Sequence, residues 1–181
     1  MRLQPIHRAG RFFRSLTAGA PSQQDTVWAE NHMNKAERNA FARLGPGDRS
    51  HSIGVARKVA SNLDQSGIVD AEDRAWVVTA ALLHDVGKSV AGLGIYGRVI
   101  ATVCGALFGD EMADQWAEKS GMTRKIGLYL KYPELGVDIL ELAGSDARVV
   151  AWSAQHHSPE EDWTVPVEAG RLLSAADDGK L

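Results

Sequence analysis

An apolar run, Ala80-Ala81-Leu82-Leu83, leads directly into His84-Asp85, and Gly87 and Lys88 follow. Burying an ionised group costs roughly several kcal/mol unless it is paired or binds a metal. The spacing therefore calls either for protein partners at this pair or for a cation. Residues of the same chemistry stand elsewhere: His51, the adjacent pair His156-His157, and Asp177. Imidazole and carboxylate together suit manganese, iron, zinc or nickel better than calcium or magnesium. Such an ion would compensate a buried Asp85 and shift a bound water toward hydroxide near neutral pH. Singly, each has a plainer reading. His84-Asp85 could be a helix-end pair, His156-His157 a solvated helix end, and Lys88 a favourable cation at a helix C-terminus.

Helices must position these residues. Ser22 to Asp25 resembles a capping box, and the helical segment after it, broken once, runs to about Leu44. Gly45-Pro46-Gly47 interrupts the chain, and Asp48 or Ser50 can cap the next helix. There Ile53, Ala56, Val59, Ala60 and Leu63 recur at three- and four-residue steps, so His51 starts an amphipathic helix. Asp70 caps a third helix that closes near Gly87 and ends in His84-Asp85. Asp110 is expected to open a helix through Lys119, and residues 124–143 another with Pro133 inside it. Asp146 caps a helix to about His157, and residues 167–177 form the last one, with Asp177 near its end. No strand alternation or repeat stands out. The fold class expected is all-α, a single-domain bundle of roughly six to eight helices. Adjacent helical residues point about 100° apart, so pairs such as His84-Asp85 can reach into one seam from two directions.

The 181 residues suffice for one domain with a proper core, and a net charge of −3 does not suggest a nucleic-acid binder. The single cysteine, Cys104, excludes an intrachain disulfide and fits a cytoplasmic location. Residues 1–22 read as a basic tail, expected to be disordered, before a helical domain over 23–181. Arg2, Arg8, Arg11 and Arg14 precede the first acid, Asp25. The Ala18-Gly19-Ala20 stretch imitates a signal cleavage site, but the apolar region before it is missing. Residues 89–109 are nearly all apolar, with Arg98 as their only charge. Their five glycines and central arginine argue against a membrane span and for a buried helical hairpin or a lid. Peripheral membrane contact through the tail or this insert is a further expectation.

His51, with Arg57 on the same helix; Leu82-Leu83-His84-Asp85-Val86-Gly87-Lys88; Pro133-Glu134-Leu135-Gly136; His156-His157; and Ala176-Asp177 stand in an order that resembles the HD-domain superfamily of metal-dependent phosphohydrolases. The HDxGK block and the HH pair especially resemble its HDIG and HD-GYP-like branch. The resemblance implies that His51, His84, Asp85 and Asp177 hold one metal ion. It implies that Asp85 bridges to a second ion on His156 and His157, and that Lys88 contacts a substrate phosphate. Hydroxide at the metals would then attack phosphorus, making Asp85 and Lys88 the catalytic residues. Two departures are visible. Tyr132 stands where that branch has a metal-binding histidine, which puts the second ion in question. The GYP segment is absent after His157, which weakens the case for a cyclic dinucleotide.

The function these residues suggest is hydrolysis of a phosphomonoester or phosphodiester in a small, nucleotide-like substrate, with one or two divalent transition-metal ions. Two rivals stand beside it: a catalytically inactive binding or signalling module, and a di-iron oxygenase.

Overall fold

The structure is a computed structural model that describes residues 19–68, 70–93 and 95–181, without the side chains of 95, 96 and 105–111. Ten helices follow one another in it, and no strand is present among the described residues. They are α1 (Gln23–Glu30), α2 (Lys35–Ala42), α3 (Pro46–Asn62), α4 (Ala71–Leu83), α5 (Lys88–Ala91), α6 (Ile95–Ala117), α7 (Gly121–Leu130), α8 (Tyr132–Leu142), α9 (Ala147–Gln155) and α10 (Val167–Asp177). The expected basic tail falls largely on residues 1–18, outside the described residues, as does His7.

The boundaries follow local chemistry. Ser22 accepts from the Asp25 amide at the start of α1, and Asn34 forms a full capping box with Glu37 at the start of α2. Asp70 and Asp146 cap α4 and α9. At α3 the expectation fails. Pro46 occupies the first turn behind Gly45, so neither Asp48 nor Ser50 caps the helix. Asp48 is buried instead, against Arg98 of α6. The helix expected over 124–143 is two, because Pro133 cannot continue a preceding turn and starts α8. Likewise α4 ends at Leu83, and a tight turn through Asp85–Gly87 leads into the short α5. These divisions raise six to eight helices to ten without changing the architecture.

Two apolar cores result. The larger one takes Val59, Val77, Leu82, Leu83, Val86, Leu140, Val149 and Leu173, all fully buried, from α3, α4, the turn after it, α8, α9 and α10. Trp76 and Trp152 belong to it, with Trp163 stacked edge-on at 5.3 Å from Trp152. The smaller core joins Ala91, Leu93, Ala101, Ile126 and Tyr129, with Trp116 packed against it. Helices α6 and α7 form its hairpin, close enough at Gly127 that a Cβ there would lie 2.3 Å from the Ala117 amide nitrogen. This corrects the reading of 89–109 as a buried hairpin: those residues run from α5 into α6, whose hairpin partner is α7, and Ile100 and Val103 are exposed. Asp110 lies inside α6, not at a helix start. No helix among the described residues is long and apolar enough to cross a membrane.

Candidate metal centre

Four elements converge where the two cores meet. The turn after α4 supplies His84 and Asp85, α3 supplies His51, α10 supplies Asp177, and the end of α9 supplies His156 and His157. One ligand atom from each of His51, His84 and Asp85 fits within a 4.8 Å group. Asp177 joins them, its Oδ1 3.0 Å from His51 Nε2 and 4.0 Å from His84 Nε2. Its neighbour Asp178 pairs instead with Lys180 at 2.8 Å. His84 and Asp85 are buried, whereas the His51 and Asp177 side chains are 23% and 15% exposed and form the open side.

The imidazoles are oriented by the backbone. His84 Nδ1 lies 2.9 Å from the Ala81 carbonyl, so Nδ1–H donates there and Nε2 carries the lone pair in the neutral ring. This Nε2 points at Asp85 Oδ2, 3.4 Å away. A carbonyl partner on the far nitrogen is the usual outer support of a metal-bound histidine. The donor set thus fits a transition-metal ion. Without one, the carboxylates hold the site together by charge. Burial pulls the His84 imidazolium down, but Asp85 and Asp177 outweigh it and raise its pKa to about 9. Burial pushes Asp85 up, yet Lys88 and His84 hold it well below the usual carboxylate range.

Lys88 Nζ lies 2.5 Å from Asp85 Oδ2 and 4.7 Å from the centre of the Tyr132 ring. Burial disfavours its charge, but Asp85 more than compensates and the ammonium persists. The two glycines beside these residues serve close packing. A Cβ on Gly87 would stand 1.8 Å from the Tyr132 carbonyl oxygen, and one on Gly136 2.3 Å from Ser153 Oγ. The turn after α4 can therefore lie directly on the start of α8.

The other side of the site is different. Tyr132 Oη lies 3.1 Å from His156 Nε2 and also makes a short hydrogen bond with His157 Nε2. His156 Nδ1 lies 2.9 Å from the Ser153 carbonyl, so its Nε2 accepts in the neutral ring and Tyr132 donates to it. The phenol has one proton, so His157 Nε2–H must donate to Oη. Burial and the cationic His84 beside it depress His156 to about 4, and burial drives the Tyr132 phenol well above its usual value. The structure therefore brings His156 next to Asp85, its Nε2 3.8 Å from Oδ1, with the Nε2 atoms of both His156 and His157 engaged by one hydroxyl. Nothing in the sequence pattern signalled this closure beyond the exchanged residue itself.

Arg57, on one helix with His51, is turned away from the ligands: its guanidinium covers the Trp28 ring at 3.9 Å and pairs with Asp25 at 3.2 Å. His32 is half-buried against Trp28, and burial lowers its pKa.

No curated protein and no solved structure matches the chain. A family model does: the HD domain, over residues 49–178, which takes in every ligand described above. The match extends over well more than half of the sequence, from the turn before His51 to the end of α10, and the chain belongs to the HD domain family.

Proposed function

We propose that this protein is a metal-dependent phosphohydrolase with a single ion, held by His51, His84, Asp85 and Asp177, acting on a phosphomonoester or phosphodiester of a small, nucleotide-like molecule. The observation that carries the reading is the convergence of His51, His84 and Asp85 ligand atoms, with the His84 tautomer already set by Ala81. When bound, a manganese, iron, zinc or nickel ion supplies Lewis acidity and an acidified water. The chain does the rest. Lys88, which pairs with Asp85 at the edge of the ligands, would hold an ammonium where a phosphoryl oxygen would develop charge. His51 and Asp177 border the open side through which a substrate enters. Buried Tyr132, beneath Lys88 and against His156, keeps bulk water from that flank.

The Tyr132 bridge supports one ion in place of two, because both Nε2 atoms of the HH pair are already used. It also weighs against a di-iron oxygenase, which needs the second position. The same feature favours the one competing reading, a binding module that keeps the ligands but not the chemistry.

The test is metal content per chain on protein purified without a polyhistidine tag, beside an Asp85→Ala control, followed by hydrolysis of a broad panel of phosphate esters. About one ion per chain, lost in the control, together with metal-dependent phosphate release, is expected. No metal after reconstitution overturns the reading. A full metal site with tight ligand binding and no turnover leaves the binding module.

A further inference from the structure

The half of α4 away from the metal ligands borders a cleft of about 210 Å³, between that helix, α2 and the start of α9. Ala75, Trp76 and Val149 give it apolar walls, Glu37, Glu72 and Asp146 give it carboxylates, and Thr79 adds a hydroxyl. Glu72 and Ala75 are exposed, whereas Glu37, Trp76 and Val149 are buried, so the cleft leads inward from the surface. Trp76 stands two turns of helix, about 12 Å, before His84, which separates the cleft from the metal centre.

Capping explains why acids gather here. Glu37 closes the capping box of α2, Asp146 caps α9, and Glu72 stands in the first turn of α4. Capping does not use up their charge. Arg148 braces the rim: its guanidinium bonds Asp146 at 2.6 Å, Asp73 at 2.7 Å and Glu72 at 3.2 Å, and lies 5.1 Å from the centre of the Trp76 ring. Glu37 is not among its partners. This residue is only 5% exposed, and its Oε2 accepts from the Asn34 amide at 2.7 Å. Its Oε1 accepts no hydrogen bond among the described residues, yet it is not sealed from solvent as the unmatched Asp48 Oδ2 is. On so deeply set a residue, itself part of the lining, Oε1 opens onto the cleft. A carboxylate oxygen in that position calls for a donor.

The walls decide what the donor is. Glu37, Glu72, Asp73 and Asp146 against one guanidinium repel an anion. A bare metal ion has no shell here, because among the described residues only His51, His84 and Asp85 bring three ligand atoms within 4.8 Å of one another. The carboxylates stand instead at two depths, Glu37 inside and Glu72, 83% exposed, at the rim. That arrangement suits an extended organic cation charged at both ends. Thr79 gives its proton to the His32 carbonyl at 2.7 Å, so its oxygen is left to accept from an N–H. The Trp76 ring attracts cations, as its contact with Arg148 shows. The volume falls below the roughly 300–1,000 Å³ of drug-sized pockets, which sets a short chain.

We propose that this cleft binds a short aliphatic diamine, one ammonium on Glu37 and the other at the Glu72 rim, with the methylenes against Ala75, Trp76 and Val149. The site depends neither on the metal nor on the hydrolase reading.

The experiment is calorimetric titration of the full chain with 1,4-diaminobutane at low ionic strength, with a chelator present to keep the metal centre empty. The uncharged 1,4-butanediol, of the same length, is the control. One saturable site per chain is expected for the diamine and none for the diol. Ala75→Leu fills the cleft from an exposed helix position and is expected to abolish binding. Glu37→Gln keeps a residue that can close the capping box and removes the charge. It is expected to weaken binding by at least about 10-fold, the scale of one hydrogen bond to a charged group. Thermal melts establish that both variants fold. Absence of saturable diamine binding, equal binding of the diol, or wild-type affinity in either variant overturns the proposal. If Glu37→Gln does not fold, Ala75→Leu decides alone.

Discussion

The two sides of the candidate centre both present imidazole to Asp85 and end in opposite states. On one side His51, His84, Asp85 and Asp177 bring four ligands from three elements face to face. On the other, His156 Nε2 comes within 3.8 Å of Asp85 Oδ1, yet one phenolic hydroxyl engages both it and its exposed neighbour His157. A cluster of imidazoles is therefore not by itself a metal site. What distinguishes them is whether each Nε2 is already engaged by a neighbouring hydroxyl.

The largest effect that can break this comparison is expected at Asp85, a carboxylate that faces both His84 and His156. Asp85→Ala removes a ligand and strands the charges of Lys88 and His84 in a buried site, a loss of about 3–5 kcal/mol for a broken buried pair. Metal content should fall to background and any metal-dependent hydrolysis by well over about 100-fold, beyond the effect of losing an outer-sphere partner. Elemental analysis and a chemical-denaturation curve on the same preparation check both. Retention of a full metal complement would remove Asp85 from the ligand set.

Gly87 comes next, because it lets the two sides meet. A methyl group there collides with the Tyr132 carbonyl, which belongs to backbone and cannot swing aside. Gly87→Ala should cost about 3 kcal/mol or more, at or above the upper end of overpacking effects. A melting temperature within a few degrees of wild type would show that the seam is looser than drawn.

Tyr132 sharpens the comparison directly. Replacing the hydroxyl while keeping the ring, as in Tyr132→Phe, frees both Nε2 atoms. Tyr132→His adds a ligand as well. Metal per chain should rise from about one toward two, further in Tyr132→His than in Tyr132→Phe. Equal stoichiometry in all three proteins would mean that the hydroxyl does not decide the second site.

How much of this stood in the sequence depends on the kind of contact. The ligand blocks were visible because each needs a particular side chain at a particular helix end. Asp70 and Asp146 were legible as caps because capping is local. Asp48 was misread for the converse reason. Its partner, Arg98, lies fifty residues away, and Pro46 had already begun the helix. The glycines of the apolar insert looked like breakers, yet Gly97 lies within the unbroken α6. Gly87 looked like a helix end, although space for a neighbouring backbone is what it provides, as Gly136 provides it for the Ser153 side chain. The closure of the HH pair by Tyr132 needs three-dimensional distances between α8 and the end of α9, which no spacing encodes.

The smallest expected effect separates two neighbours at the open rim. Asp177 faces His51 and His84, and Asp178 turns to Lys180 at the protein surface. Asp177→Asn keeps the shape and removes one negative charge from a partly exposed position. The ion keeps three other ligands, two of them buried, so affinity should fall but not to zero, by at least the roughly 10–100-fold that losing a mere outer partner costs. Asp178→Asn breaks an exposed pair of the kind worth about 0–1 kcal/mol and should leave metal affinity unchanged. Titration with a chelating metal indicator measures both on one scale. The pair of variants also tests the helix itself: at about 100° per residue, a slip of α10 by one position would exchange their phenotypes. A larger loss in Asp178→Asn than in Asp177→Asn would place the wrong carboxylate at the rim and reassign the fourth ligand.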